Sequence, residues 1–281
     1  MKIAIASGKG GTGKTTVAAN LFYAMKTFYN NVVLVDTDVE EPNIELFFKK
    51  QRTEETPVNV QIPEFIEENC TECGKCDNIC EFKALVTIKN KPYIIEDLCK
   101  ACGLCIRVCP SNALVKKDKK IGKIIHSVTD DNSNIISGEL EVGQILTSTL
   151  INKVKKHSFN QNGKVYIIDA PPGTTCPAVA SIKDSDIVVF VAEPTPYGLK
   201  DLKLAVKLAQ NLGKPYGVII NKHGLGNGDT EKWLESENIK IFGKIPYLDD
   251  IALKTSNGEI LTSYASRFVV IAGNILREGG E

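Results

Sequence analysis

The sequence lacks a membrane-spanning apolar run, an excess of charge of one sign, and histidines placed as metal ligands or as part of a catalytic triad. No apolar run in its 281 residues approaches the roughly 20 that a spanning helix requires, so we expect no membrane partner. Basic and acidic residues number 34 each, which leaves no global field to attract nucleic acid. Only three histidines occur, His126, His157 and His223, and none has partners at the spacing of a metal site or a triad.

The sequence also shows no secretory signal, and no targeting segment precedes the apolar stretch Ile3 to Ala6. We therefore expect a cytoplasmic protein whose thiols are reduced. The length allows one large domain or two smaller ones. An apolar fraction of 43% is ordinary for a globular chain with a buried core.

Cysteine is the residue that stands out: eight of the nine lie in two runs spaced C-x2-C-x2-C-x3-C. The spacing is that of bacterial ferredoxins, in which the fourth cysteine of each run ligates the cluster of the other run. The pattern therefore predicts two [4Fe-4S] clusters. The first would be held by Cys70, Cys73, Cys76 and Cys109, and the second by Cys80, Cys99, Cys102 and Cys105.

A pair of zinc sites is the alternative, because C-x2-C pairs are also zinc spacings. Zinc gives no reason for three evenly spaced cysteines followed by a fourth, twice over. Disulfides are disfavoured by the expected compartment. One departure from the ferredoxin pattern is that Glu81 follows Cys80, where a proline commonly stands, whereas Pro110 is in place after Cys109.

The cysteine runs predict an inserted domain over residues 57–114, between two parts of a nucleotide-binding domain, 1–56 and 115–281. The polar residues 49–56 are interpreted as a linker. The lysine-rich residues 116–123 are interpreted as a solvent-exposed segment that leads the chain back to the nucleotide-binding domain. The alternative is a docking patch for an acidic redox partner. So small a module folds around its metal, because ligation supplies free energy that its core cannot.

A phosphate-binding loop follows the first strand and matches G-x4-G-K-[ST]. Backbone N–H groups of such a loop and the following helix N-terminus surround phosphates. Lys14 is expected to reach the β- and γ-phosphates of ATP, and the Thr15 hydroxyl to ligate Mg²⁺. The predicted nucleotide-binding residues of the loop are Gly8, Lys9, Gly10, Gly11, Thr12, Gly13, Lys14, Thr15 and Thr16.

Strands alternate with helical segments along the rest of the chain, which predicts an α/β fold with a mostly parallel, doubly wound sheet. Asp36 ends one apolar strand, residues 32–36, and Asp38 follows two residues later; Asp169 ends another strand, residues 165–169. Carboxyl ends of parallel strands meet in the crevice where such sheets bind ligands. These carboxylates are therefore expected beside the phosphates.

The loop sequence K-G-G-T-G-K-T, residues 9–15, together with D-x-P-P-G at residues 169–173, resembles the MinD/ParA/Mrp/nitrogenase iron protein family, the SIMIBI class of P-loop ATPases. With the cysteine runs, the chain is similar to members that carry an inserted two-[4Fe-4S] ferredoxin domain of α+β type. The resemblance implies a dimer closed by ATP, a homodimer or a heterodimer with a paralogue, in which Lys9 reaches the partner's nucleotide.

The resemblance also implies roles for single residues. Asp36 supports Mg²⁺, Asp38 orients or deprotonates the attacking water, and Asp169 touches Mg²⁺ through water. Gly173 senses the γ-phosphate, and the residues expected around the adenine are Asn221, Pro246 and Tyr247.

The D-x-P-P-G segment, residues 169–173, resembles the switch segment of Mrp-type carriers, and Cys176 lies just past it, where those carriers have C-P-x-C and bind a bridging cluster. Here Ala178 replaces the second cysteine, so the role of Cys176 stays open. Three functions are consistent with the sequence. The preferred one is an ATPase that couples nucleotide state to electron transfer or to binding of a redox partner. The alternatives are an Mrp-type cluster carrier and a MinD-like positioning protein whose clusters are structural or sensing.

Overall fold

The computed structural model describes residues 1–280, and the chain begins with the alternation that the sequence predicts. Its first elements are β1 (Lys2–Ala6), α1 (Lys14–Met25), β2 (Val32–Asp36), a 3₁₀ turn (Ile44–Phe47) and β3 (Lys50–Phe65). The middle of the chain contains α2 (Lys75–Asn78), β4 (Leu85–Ile88), β5 (Lys91–Ile94), α3 (Leu104–Val108), β6 (Leu114–Thr129) and β7 (Asn134–Leu140).

The second half of the chain returns to regular alternation. Its elements are α4 (Thr147–Phe159), β8 (Val165–Asp169), α5 (Cys176–Ile182), β9 (Ile187–Ala192), α6 (Pro196–Asn211), β10 (Tyr216–His223), α7 (Asp229–Ser236), β11 (Ile241–Pro246), α8 (Asp249–Ser256) and α9 (Ala265–Glu278).

One sheet of nine strands carries the nucleotide-binding part, in the order β11-β10-β9-β1-β8-β2-β7-β6-β3. β1 pairs in parallel with β8 and β9, and β2 with β8 and β7. β6 and β7 are sheet neighbours joined by a tight turn, so they run antiparallel. The predicted α/β fold with a mostly parallel sheet is confirmed. β8 and β9 flank β1 on opposite sides, so the strand order reverses direction at β1. The carboxyl end of β1 therefore lies at the crevice in which such sheets bind ligands.

The core lies between the sheet and helices that are buried along one side. Phe22 and Met25 of α1 belong to the same buried cluster as Phe268 and Ile271 of α9. Each such side chain stabilises the fold by about 1.5–3 kcal/mol relative to its exposed state. This packing fixes α1, and with it the loop that precedes α1.

The chain divides into two compact units. The first comprises Met1–Glu55, Ile124–Glu139 and the chain from Ile151 onward; the second comprises Thr56–Lys123 and Leu140–Leu150. The second unit is larger than the predicted insert, residues 57–114. The assignment of that insert as a ferredoxin domain stays a prediction.

The predicted linker at residues 49–56 is wrong, because most of it belongs to β3. β3 is the last strand of the sheet, and its first residues are exposed. An edge strand can be polar because backbone pairing on one side is enough to hold it. Composition alone therefore could not distinguish this strand from a linker.

Within residues 1–280, no helix is both long enough and apolar enough to cross a membrane.

Candidate functional site

The loop between β1 and α1 has the backbone conformation of a phosphate cradle. Gly11 and Gly13 have φ of 76° and 88°, a region that side-chain-bearing residues rarely adopt. Gly13 immediately precedes α1, so the helix N-terminus points its free N–H groups at the loop. At Gly8 a Cβ atom would lie 2.1 Å from the carbonyl oxygen of Asp201, so this position also requires glycine.

Three carboxylates, Asp36, Asp38 and Asp169, lie beside this loop together with Lys14. Asp36 and Asp169 occupy paired positions on β2 and β8 and are both buried. The Lys14 side chain is also buried and acts electrostatically on Asp38 and Asp169. The structure thus brings together the carboxylates and the lysine that the sequence assigned to Mg²⁺ and phosphate.

Burial raises the pKa values of these carboxylates, and the charge of neighbouring carboxylates adds to the effect. Burial, followed by the charge of Asp169, raises the pKa of Asp36 well above its usual range. Burial raises the pKa of Asp169 to about 6, although Lys14 and a hydrogen bond from Thr15 oppose the shift. Burial also raises the pKa of Asp38. A buried group of like charges needs a cation to be stable in its ionised form.

The donor set fits Mg²⁺, which prefers carboxylate and hydroxyl oxygens. Among the described residues, the buried Oδ1 atom of Asp169 has no hydrogen-bond partner. Such an atom normally has a ligand, water or ion. The Thr15 hydroxyl lies within hydrogen-bonding reach of the same carboxylate.

An apolar cavity of about 250 Å³ adjoins the phosphate loop. Its lining includes Gly13, Asn221, Pro246 and Tyr247, so the residues predicted around the adenine meet at one place. The Asn221 Nδ2 atom donates to the Thr12 carbonyl oxygen at 2.8 Å, and a Cβ at Gly13 would lie 2.3 Å from it. The cavity has apolar walls and one amide side chain, which suit a planar nucleobase.

Lys9 forms an ion pair that the sequence did not predict. Its Nζ lies 3.3 Å from Oε2 of Glu193, which also lies 3.6 Å from Nζ of Lys222. Lys222 in turn donates to the Gly11 carbonyl oxygen at 3.1 Å. Lys222 has a φ of 54°, and this left-handed conformation is the one local feature that marks it.

The segment after β8, residues 170–173, contacts the phosphate loop through its backbone. The Gly173 N–H donates to the Ser7 carbonyl oxygen at 3.0 Å, and Gly173 has a φ of 89°. Cys176 is exposed as the first residue of α5. Cys176 thus lies three residues beyond the one that bonds to the loop.

The eight clustered cysteines line two separate cavities in the second unit. Cys70, Cys73, Cys76 and Cys109 line one, and Cys80, Cys99, Cys102 and Cys105 line the other, which has a volume of about 230 Å³. Each cavity thus receives three cysteines of one run and the last cysteine of the other. The larger cavity is mostly apolar, with Phe82 and Leu104 in its wall.

The two cysteine runs have the same backbone geometry. Gly74 and Gly103 precede α2 and α3 with φ of 68° and 69°. The N–H groups of Glu72 and Ala101 each donate to a cysteine Sγ two residues earlier, both at 3.4 Å. Backbone donors aimed at sulfur stabilise a thiolate. The internal repeat in the sequence is therefore also a repeat in structure.

Among residues 1–280, no group of three or more His, Cys, Asp or Glu side chains is arranged to hold a single metal ion. A zinc ion needs its thiolates about 2.3 Å away. The cavity lined by Cys80, Cys99, Cys102 and Cys105 has a volume of about 230 Å³, whereas the cavity lined by Cys70, Cys73, Cys76 and Cys109 has a volume of about 20 Å³.

Comparison with known proteins identifies relatives of the nucleotide-binding part. Residues 3–261 match the family model of the CobQ/CobB/MinD/ParA nucleotide binding domain. The uncharacterized protein MJ0579 of Methanocaldococcus jannaschii is 35% identical over 234 residues, which cover 81% of this chain and 82% of that protein. An iron-sulfur cluster carrier protein of Pyrococcus horikoshii is 27% identical over 264 residues, 87% of this chain and 73% of that protein.

Among solved structures, the cell division ATPase MinD of Pyrococcus furiosus is similar with a TM-score of 0.60 and 20% identity. The likeness covers 98% of both chains and shows a shared fold.

Proposed function

This chain belongs to the CobQ/CobB/MinD/ParA nucleotide-binding family of P-loop ATPases, and from that premise we propose that it couples ATP hydrolysis to two [4Fe-4S] clusters. In this proposal the nucleotide state controls electron transfer from the clusters, or their binding to a redox partner. The observation that carries it is the sorting of eight cysteines into two cavities of four.

In the ATPase site, Lys14 neutralises the β- and γ-phosphates, and Thr15, Asp36 and Asp169 hold Mg²⁺. Asp38 orients or deprotonates the attacking water. The support for these roles is the placement of the carboxylates beside the buried Lys14 and the unpartnered oxygen of Asp169.

The adenine occupies the apolar cavity beside the loop, against Asn221, Pro246 and Tyr247. Gly173 senses the γ-phosphate, a role that the family resemblance supports, and its N–H lies next to the loop in a hydrogen bond to the Ser7 carbonyl oxygen. ATP closes a dimer of two copies, or of this chain and a paralogue. Lys9 leaves Glu193 on closure and reaches the partner's nucleotide.

The clusters are held by the two crossed cysteine sets, and when bound they supply one-electron redox chemistry. Backbone N–H donors at Cys70 and Cys99 support negatively charged sulfur in both sets. Cys73 and Cys102 are exposed, which leaves one edge of each set open to a redox partner.

Anaerobic purification and the variant Lys14→Ala test both halves of the proposal. We expect about eight irons per chain in the wild type and in the variant. ATP turnover should be lost in Lys14→Ala, because the phosphate charge is no longer neutralised. Lys207→Ala, an exposed lysine on α6, is the matched control and should keep full turnover. Zinc in place of iron, or turnover by Lys14→Ala, would contradict the proposal.

Coupling is tested by measuring cluster potentials with ADP and with a non-hydrolysable ATP analogue. Gated electron transfer predicts a shift in potential, or a new electron acceptor, with the analogue. Unchanged potentials and acceptors would remove the coupling and favour a MinD-like positioning role.

A cluster carrier is the second candidate, favoured by the resemblance to the iron-sulfur cluster carrier protein of Pyrococcus horikoshii. The exposed Cys176 near the switch segment would then contact the cargo. Incubation with an apo-ferredoxin separates the two functions. A carrier loses iron to the acceptor when ATP is added, whereas an electron-transfer protein keeps its iron.

A further inference from the structure

Glu45 lies in the 3₁₀ turn Ile44–Phe47, and the ATPase site described above does not use it. Its Oε1 atom accepts hydrogen bonds from the hydroxyls of Ser127 on β6, at 2.8 Å, and Ser137 on β7, at 3.3 Å. Its Oε2 atom pairs with Nζ of Lys50 on β3 at 2.6 Å. One carboxylate thus joins the turn to three strands.

The same turn holds the Asp36 carboxylate. Backbone N–H groups of Asn43 and Ile44 donate to Oδ2 of Asp36 at 3.1 and 3.2 Å. The N–H of Asp38 donates to Oδ1 at 2.9 Å. Both oxygens of Asp36 are therefore oriented by the backbone that runs from Asp38 into the turn.

Glu45 is held firmly enough to fix that turn. Ser127 and Ser137 are buried, so their hydroxyls need partners inside the protein. Hydrogen bonds to an ionised acceptor are roughly twice as strong as neutral ones. Ser127 is also 3.2 Å from the Thr53 hydroxyl on β3, which extends the same network to the sheet edge.

We propose that Glu45 is a positioning residue for Asp36. Through the turn, it sets the orientation of the carboxylate and hence the Mg²⁺ requirement of ATP hydrolysis. The inference rests on the proposed Mg²⁺ role of Asp36. β3 and β6, which Glu45 contacts through Lys50 and Ser127, are also the strands by which the chain enters and leaves the cysteine segment.

The test is the variant Glu45→Gln, with Glu54→Gln as the matched control. Glu54 lies on β3 in an exposed ion pair with Arg52 and takes no part in the network. Loss of a group that orients a metal ligand typically costs 10–100-fold in metal affinity or activity. We expect about a tenfold rise in half-saturating Mg²⁺ for ATP hydrolysis in Glu45→Gln and no change in Glu54→Gln.

A second readout does not depend on activity. Amide hydrogen exchange should be faster at residues 43 and 44 in Glu45→Gln, whereas ATP binding in EDTA stays at the wild-type level. Ser127→Ala should raise the Mg²⁺ requirement in the same direction, and the double variant should be no worse than the poorer single variant, because both act through one contact. Ser127→Ala also serves as the test if Glu45→Gln fails to fold.

An unchanged Mg²⁺ requirement in both Glu45→Gln and Ser127→Ala overturns the inference. Asp36→Asn distinguishes this from failure of the proposed function. If Asp36→Asn raises the Mg²⁺ requirement while Glu45→Gln does not, only the inference is wrong. If Asp36→Asn also leaves it unchanged, the proposed role of Asp36 is wrong and the inference falls with it.

Discussion

At the scale of single residues, His126 and His157 form a pair that makes stability depend on pH. Their ring centroids are 5.9 Å apart, and Nε2 of His126 is 2.8 Å from Oδ1 of Asn134. Within the described chain, the buried Nε2 of His157 has no hydrogen-bond partner. Burial, followed by the charge of His126, lowers the pKa of His157.

The sign of the effect follows from linkage. The unfolded chain takes up a proton at His157 near pH 6.5, whereas the folded protein takes it up at lower pH. Stability that is present above about pH 6.5 is therefore lost as the pH falls below that value toward the lower pKa of the folded protein. We expect the melting temperature to fall more steeply between about pH 7.5 and 5.5 in the wild type than in His157→Gln. Equal slopes in the two proteins would contradict this.

The residues of the phosphate loop could be predicted from sequence because they are neighbours in the chain and their spacing identifies the motif. Glycines, Lys14 and Thr15 follow one another, and the strands before Asp36 and Asp169 are plainly apolar. Glu193, Lys222 and Glu45 were missed because their partners are distant in sequence. Nothing local to Glu193 indicates that it faces Lys9.

At the scale of helices and strands, Lys155 of α4 holds the end of α5 in place. Its side chain is 2% exposed, and Nζ donates to the carbonyl oxygens of Ala180 and, at 3.2 Å, Ser181. Nζ also pairs with Oδ2 of Asp184 at 2.8 Å. These carbonyls belong to the last turn of α5, where intrahelical partners are missing.

Replacing Lys155 by methionine should destabilise the protein by about 2–3 kcal/mol, because buried carbonyl oxygens lose their charged donor. The expected loss of stability is no larger than this because the Asp184 side chain is half exposed and can be hydrated when Lys155 is absent. Chemical denaturation measures the change, and Lys156→Met, an exposed neighbour on α4, should lie within about 0.5 kcal/mol of wild type. A loss in both variants alike would show that the contact with α5 is not the cause.

Strands could be predicted wherever a continuous apolar run indicated burial on both faces. The central strands are continuous apolar runs, and the sequence predicted them. β3 could not be predicted because its first half is polar and exposed at the sheet edge. Pairing with β6 makes it a strand, and that pairing is a tertiary feature.

At the scale of the whole molecule, the two compact units contain buried clusters of different size. The first has a continuous core between its sheet and helices. In the second, the buried cluster beside the cysteines consists of Leu85, Cys105 and Leu114, with cysteine sulfur among the groups packed against it. So small a cluster supplies little free energy, and metal ligation is expected to supply the rest.

Removing iron should therefore open the cysteine segment while the nucleotide site survives. We expect trypsin to cleave at Lys75, Lys83 and Arg107 much faster after oxidation and chelation than in the iron-loaded protein, because α2 and α3 lose their anchor. Binding of a fluorescent ATP analogue, which depends on the core around α1, should remain.

Two cysteine substitutions make the same test without a chelator. Cys76→Ser removes a predicted ligand and should lose about four of the eight irons and become sensitive to trypsin. Cys176→Ser makes the same chemical change outside both cysteine cavities and should retain iron and resistance. If the iron-free protein resists trypsin as well as the loaded one, the segment folds without its clusters. Metal ligation would then not be what stabilises the second unit.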